Sequence, residues 1–375
     1  MKPWYVTART ANGGIGRPSQ PPPPSTTCCA RDSSAESCYG EASVTPQRPK
    51  RAIELWDHDS IAPGESRDIE LKMGESYSGM SFSIPLHVRR GLEPGPTVFV
   101  TAAVHGNELN GTGAIRNLIC DPQLNLRAGS LILIPVVNVL GFDRHSRYLP
   151  DRRDLNRCFP GSKGGSLARR LANRIFDEIV NRCDYGIDLH TAAIRRTNFP
   201  VVCADITDPE VEKLALAIGT RYISKGRGPR GALRREACMA GCPTVIIEGG
   251  ETWKVQFNVV KVFERGIRNA LIHWNMIDGE PNTHEVQTII TKARWVRAER
   301  GGFLEFHVYP GDTVHPGQKL VTIANLLGRE ELILTSTMDA IVLGMTTLPA
   351  TTPGEAIVHL GDLTSAIHVK NITSS

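Results

Sequence analysis

The run Val98-Phe-Val-Thr-Ala-Ala-Val104, continued directly by His105-Gly-Asn-Glu108, decides the fold. An apolar run with no alternation of wet and dry positions belongs to a strand covered on both faces, and its short length bounded by turn residues favours strand over helix. The same kind of run recurs at Leu131-Ile-Leu-Ile-Pro-Val-Val137, Gly186-Ile-Asp-Leu-His190, Pro200-Val-Val-Cys-Ala204 and Thr244-Val-Ile-Ile-Glu248. Helical segments fall between them. The clearest, predicted over Ser166 to Cys183, carries Leu167, Leu171, Ile175, Ile179 and Cys183 at four-residue spacing, with Arg169, Arg170, Asp177 and Glu178 on other faces. Strands alternating with helices predict an α/β domain with helices on both faces of its sheet.

Outward from this centre the pattern changes twice. Residues 52–88 read as short strands such as Arg67-Asp-Ile-Glu-Leu-Lys72 and Met80-Ser-Phe-Ser-Ile-Pro-Leu86, an antiparallel entry to the sheet. After Asp278 the helical pattern stops, and residues 289–371 read as strands punctuated by Gly301-Gly302, Pro310-Gly311, Pro316-Gly317 and Pro353-Gly354. Residues 1–50, with the run Pro21 to Pro24 and no periodicity, predict a disordered tail, because such a segment buries too little apolar area to offset its ordering entropy. The expected organisation is therefore a tail over 1–50, an α/β domain over 51–278 and an all-β domain over 279–375.

Bulk properties exclude more than they assign. The chain has 375 residues, 43 basic and 39 acidic, and a formal net charge of +4, with no basic patch of the kind nucleic-acid binders carry. The stretch Leu131 to Leu140, interrupted by Pro135 and Asn138, is too short to span a bilayer. Nine cysteines without a CxxC pair predict reduced thiols and a cytoplasmic location, with Cys158, Cys203 and Cys242 as packing residues. Arg9, Arg17 and Arg31 leave an organellar address open.

Three strand ends carry the candidate chemistry. His105 and Glu108 follow the first run, and together they offer an imidazole nitrogen and a carboxylate oxygen to one metal ion. His190 ends another strand and completes the two-histidine, one-carboxylate set of hydrolytic zinc sites. Asp188, two positions earlier, reads equally as a carboxylate orienting an imidazole or as a polar residue at a strand end. Glu248, before Gly249-Gly250, is placed to move protons in a partly dry cleft, with Glu251 as the competing assignment. Between the histidines, the loop containing Arg147, Arg152, Arg153 and Asp154-Leu-Asn156-Arg157 supplies guanidinium groups suited to a substrate carboxylate or a developing oxyanion.

His105-x-x-Glu108, Asp154-Leu-Asn-Arg157, His190 and Glu248, in this order, resemble the succinylglutamate desuccinylase/aspartoacylase family, a branch of the zinc carboxypeptidase fold. The resemblance runs over roughly residues 60–362. It implies a mixed sheet, one Zn²⁺ per chain on His105, Glu108 and His190, and Glu248 acting as general base and acid on the attacking water. It implies further that Asn156 and Arg157 grip a substrate carboxylate and that Arg147, in its Arg-Tyr context, faces the oxyanion; here the stretch between that arginine and Asn156 is longer than the aspartoacylase pattern, so Arg152 and Arg153 are substitutes. Arg196 and Arg234 are further candidates for substrate contact. Gly301 to Leu320 and Ala340 to Gly344 look like a biotinyl/lipoyl-like β-barrel, while Leu332 to Met338 lacks the lysine at which such carriers attach a cofactor. The expected activity is hydrolysis of the amide bond of a small N-acyl amino acid that bears a carboxylate, with homo-oligomerisation left open and neither nucleic acid nor membrane as partner. The competing readings are a metallocarboxypeptidase and a non-catalytic binding protein on the same fold.

Overall fold

A computed structural model describes residues 53, 55–56, 59–76 and 78–370, all within one compact unit, Gln47–Ser375. The expected tail over 1–50 lies outside the described residues. Apart from two-residue strands and short helical turns, the elements in chain order are β1 (Ser66–Glu75), β2 (Ser81–Arg90), β3 (Glu93–Ala102), α1 (Asn110–Cys120), β4 (Ala128–Ile134), α2 (Leu167–Glu178), β5 (Tyr185–His190), β6 (Arg196–Ala204), α3 (Pro209–Ile218), β7 (Tyr222–Lys225), α4 (Leu233–Met239), β8 (Thr244–Gly250) and α5 (Phe257–His273). There follow β9 (Val286–Ile290), β10 (Ala293–Arg297), β11 (Gly302–Phe306), β12 (Lys319–Ala324), β13 (Glu331–Thr335), β14 (Ala340–Thr346), β15 (Ala356–Asp362) and β16 (Ile367–Lys370).

Most strands join one 14-stranded mixed sheet whose main path runs β10-β15-β14-β6-β8-β5-β3-β4-β2-β1. Its centre is parallel: β3 pairs with β4 on one side and β5 on the other, and β5 pairs with β8. The two faces are dry for the reason the apolar runs suggested. Val98, Val100 and Ala102 of β3 pack with α1, α3 and α5, while Phe99 of the same strand packs on the opposite face with α2 and α4. β4 divides likewise, Leu131 and Leu133 to the first core, Ile132 and Ile134 to the second. From Thr97 in β3 and throughout β4 each residue thus loses its water, which is why no polar alternation shows in these runs.

Helix α2 is shorter than its apolar spacing predicts. Ser166 caps it by accepting from the Arg169 amide, and after Glu178 the chain tightens into a 3₁₀ turn over Val180–Arg182. Ile179, Val180 and Cys183 stay in the same core, so the spacing recorded burial and not the hydrogen-bond pattern.

The sheet runs on across residue 278. β14 pairs antiparallel with β6, Gly344 opposite Asn198, and β9 pairs parallel with β7. β11, β12 and β13 form a separate four-stranded sheet with Ala350–Thr351, packed over Leu304, Val321, Ile323, Ile357 and Val358. Among the described residues no helix is long and apolar enough to cross a membrane.

Candidate active site

β3 is the switch point of the sheet, since the chain crosses over to β4 on one side and later to β5 on the other. The crevice outside the carboxyl ends of such strands is where α/β sheets place ligands. His105 and Glu108 leave the end of β3, His190 ends β5, and Glu248 lies directly opposite His190 in the parallel pairing of β5 with β8. The turn between the first two is tight: the Glu108 amide donates to the His105 carbonyl, Ala103 takes a left-handed φ of 50°, and a Cβ on Gly106 would lie 2.2 Å from the Gly141 backbone. Only glycine fits there.

His105, Glu108 and His190 are all buried, and one ligand atom from each lies within 4.8 Å of the others. Both imidazoles turn Nδ1 toward the shared carboxylate: His105 Nδ1 is 2.7 Å from Glu108 Oε1 and His190 Nδ1 is 2.9 Å from Glu108 Oε2. Each turns Nε2 outward to an aspartate, His105 to Asp154 at 3.2 Å and His190 to Asp188 at 2.8 Å. Asp188 is held in turn by the Thr101 hydroxyl, which donates to it at 2.8 Å. Burial disfavours the charged form of Glu108, but the two imidazoles outweigh it and hold the carboxyl well below its usual range. Burial likewise works against a charged His190, and Asp188 and Glu108 reverse that, raising its pKa.

The residues fit a zinc ion by their chemistry and by one orphaned atom. Despite its short distance to Glu108, the buried His105 Nδ1 makes no hydrogen bond. A nitrogen that stands beside a carboxylate without donating to it is what a shared metal site requires, and the outward Nε2 contacts fix both rings in that orientation.

A cavity of about 260 Å³ opens on this cluster and is also lined by Arg147, Asn156, Arg157, Arg234 and Glu248. Arg147 donates to Glu108 at 3.2 Å and to Asp154 at 2.9 Å. Asp154 is kept ionised: burial opposes it, but hydrogen bonding and charge from His105 and Arg147 pull its pKa down. The Asn156 side-chain Oδ1 accepts from the Leu233 amide at the start of α4, which carries Arg234 into the cavity wall. Arg234 is buried, and its Nε and Nη1 have no hydrogen-bond partner. Glu248 has its pKa raised by burial first and by the Glu108 charge next, with His190 and His105 pulling the other way.

Not every candidate converges here. Arg196 stands in an adjoining chamber that shares Glu248 and Ala193 with the cavity. Arg152 and Arg153 are exposed and line neither space, and Arg153 pairs with Asp151. Glu251 pairs with Lys254 beyond the strand end. Two residues gain a part the sequence did not give them. Asp154, quoted only as the first letter of its motif, contacts both His105 and Arg147. Cys203, read as packing, places its Sγ 3.8 Å from Glu248 Oε2, and burial with the Glu248 charge pushes the thiol up to about 12. The signal for Asp154 was its place one residue before Leu155-Asn156-Arg157, where its side chain caps a 3₁₀ turn; for Cys203 the sequence carried none.

The catalytic-domain profile of the succinylglutamate desuccinylase/aspartoacylase family matches residues 94–274, the span that holds all of these side chains. Over that span the chain is similar to the catalytic domain of this family. Among relatives, it is 29% identical over 251 residues to the N-alpha-acetyl-L-2,4-diaminobutyric acid deacetylase of Halomonas elongata, covering 64% of this chain and 73% of that protein. A solved succinylglutamate desuccinylase/aspartoacylase from Rhodobacter sphaeroides is 26% identical, with a TM-score of 0.71 over 82% of this chain and 98% of that one. The product-bound ectoine utilization protein EutE (DoeB) from Ruegeria pomeroyi shares the fold at 23% identity and a TM-score of 0.70, over 80% of this chain and 97% of that one. The matches to these solved structures extend past the catalytic span, so the mixed α/β sheet and the strands that follow it belong to the same fold.

Proposed function

We propose that this chain is a zinc-dependent deacylase that hydrolyses the amide bond of a small N-acyl amino acid, acting on carbon-nitrogen bonds other than peptide bonds. One observation carries the reading: a single cavity is walled at once by the His105, Glu108 and His190 cluster, by Glu248, and by four side chains suited to a carboxylate or oxyanion. The named relatives, a deacetylase and desuccinylases, support the same reaction class.

His105, Glu108 and His190 would hold one Zn²⁺ per chain, and zinc there supplies Lewis-acid polarisation of a carbonyl and acidification of water. Glu248, whose buried carboxyl holds a proton more readily than an exposed glutamate, takes the proton of the attacking water and returns it to the leaving amine. Arg147, already bridging Glu108 and Asp154, keeps these carboxylates fixed and presents its guanidinium toward the developing oxyanion. Arg157 and the unpartnered Arg234 bind the substrate carboxylate, with Asn156 bracing α4 beneath Arg234. Asp154 and Asp188 orient the imidazoles.

The strands after residue 278 support a small substrate over a peptide. Trp295 and His359, together with Leu343 of β14, wall the chamber beyond Glu248. We therefore read 51–278 as the hydrolase body and 279–375 as a barrel-like cover. We place the chain in the cytoplasm, where thiols such as those of Cys120, Cys158, Cys203 and Cys238 stay reduced. The test is amine release from a panel of N-acyl amino acids by the zinc-loaded protein, with Glu248→Gln alongside. Turnover of at least one member, lost in the variant, is the expected result; equal turnover by both would remove Glu248 from the mechanism.

A further inference from the structure

The reaction cavity does not end at Glu248. On its far side lies the second chamber, of about 210 Å³, which shares only Glu248 and Ala193 with the first. Its walls are contributed from both halves of the chain: Val201 and Cys203 from β6, Leu343 from β14, Trp295 from β10 and His359 from β15. Most of the lining surface is apolar, with Val201 and Leu343 both buried.

The outer end of the chamber is a stack of three flat groups. The Trp295 and His359 rings lie 4.6 Å apart at an interplanar angle of 10°, and the Arg196 guanidinium sits 4.4 Å from the Trp295 ring centroid. Each comes from a different strand of the sheet, β6, β10 or β15, with Trp295 and His359 directly opposite each other in the pairing of β10 with β15. Burial, and next the Arg196 charge, depress the His359 imidazole to about 4, so it stands neutral. Arg196 also lines an open groove of about 500 Å³ on the outer side. Arg196 thus stands between the inner apolar chamber and the outer groove.

Resting on the deacylase reading above, we propose that Arg196, Trp295 and His359 form the end wall of the site for the substrate's acyl chain, that this chain is uncharged, and that the wall sets its maximum length. If the substrate carboxylate is held by Arg157 and Arg234, the acyl group departs from the scissile carbonyl away from them, toward the second chamber that Glu248 borders. At roughly 30 Å³ for each water-sized group, the chamber admits at most about seven non-hydrogen atoms. An acyl group of up to about six carbons fits, and a longer one meets the Trp295 ring.

The experiment compares kcat/KM for the N-acetyl, N-butyryl, N-hexanoyl, N-octanoyl and N-succinyl forms of one amino acid, in wild type, Trp295→Leu and Trp295→Ala. The ratio of octanoyl to acetyl within each protein cancels any general loss of activity or folded fraction. That ratio is expected to rise by at least about tenfold in Trp295→Ala, and by less in Trp295→Leu, because each methylene accommodated in an apolar site is worth about that much. An unchanged ratio in both variants, or a wild-type preference for succinyl over butyryl, would overturn the proposal. Calorimetric titration with butyrate, hexanoate and octanoate gives the same comparison without turnover. A wild-type protein that hydrolyses no member of the series defeats the deacylase reading, and the wall then stands or falls on whether Trp295→Ala gains affinity for octanoate relative to butyrate.

Discussion

Replacing Arg234 by methionine separates binding from folding in a way few substitutions allow. The guanidinium is buried on the first turn of α4, faces the reaction cavity, and makes no ion pair or hydrogen bond among the described residues. Hydrogen bonds to charged groups are worth about 1.5–3 kcal/mol, which corresponds to a loss of roughly 10- to 150-fold in kcat/KM for a carboxylate-bearing substrate. Stability should move the other way. An unpaired buried charge is costly, so an unbranched apolar side chain of similar length leaves the Tm of the ligand-free protein unchanged or raises it. The assay is a double comparison: wild type and Arg234→Met, each with an N-acyl amino acid and with its carboxamide. The carboxamide should be a poor substrate for wild type and should lose little more in the variant. If the variant lost equally on both compounds, or melted at a lower temperature, Arg234 would be a structural cation and the assignment of the carboxylate site would fail.

Two further outcomes follow from contacts around the site. Asp188→Asn removes the anionic acceptor of His190 Nε2 while keeping the shape that Thr101 supports; zinc affinity, measured by competition with a chromophoric chelator, should fall by about 10- to 100-fold with little change in fold. The second concerns pH. His359 has a folded pKa of about 4, below its ordinary value of 6.5, so the unfolded chain binds the extra proton first; stability is full above about pH 6.5 and declines as pH falls toward 4. In His359→Gln that part of the pH dependence of Tm should flatten, and an unaltered slope between pH 6.5 and 4 would show that the imidazole is not held neutral.

Much of this architecture was written in the chain at short range. The strands of the centre were legible because both faces are buried, which erases alternation, and the candidate site was legible because His105, Glu108, His190 and Glu248 stand at the ends of those same strands. What local pattern could not carry was the company each residue keeps. Asp154 meets His105 across 49 positions, and Cys203 meets Glu248 across 45. The pairing of β14 with β6 joins residues separated by more than a hundred positions, a contact that no local pattern carries. Arg196 is the instructive case. Its proximity to His190 in sequence suggested the reaction cavity, but the extended backbone of β6 carries it into the next chamber, against a tryptophan that no local pattern connects to it.

The central claim is tested most directly by titrating zinc into metal-free protein while following amine release from an N-acetyl amino acid that the protein accepts. Activity should rise linearly and break at one equivalent per chain, as expected for a single site on His105, Glu108 and His190. Amine release from the metal-free protein at the full rate, or a rise that continues to two equivalents, would contradict it.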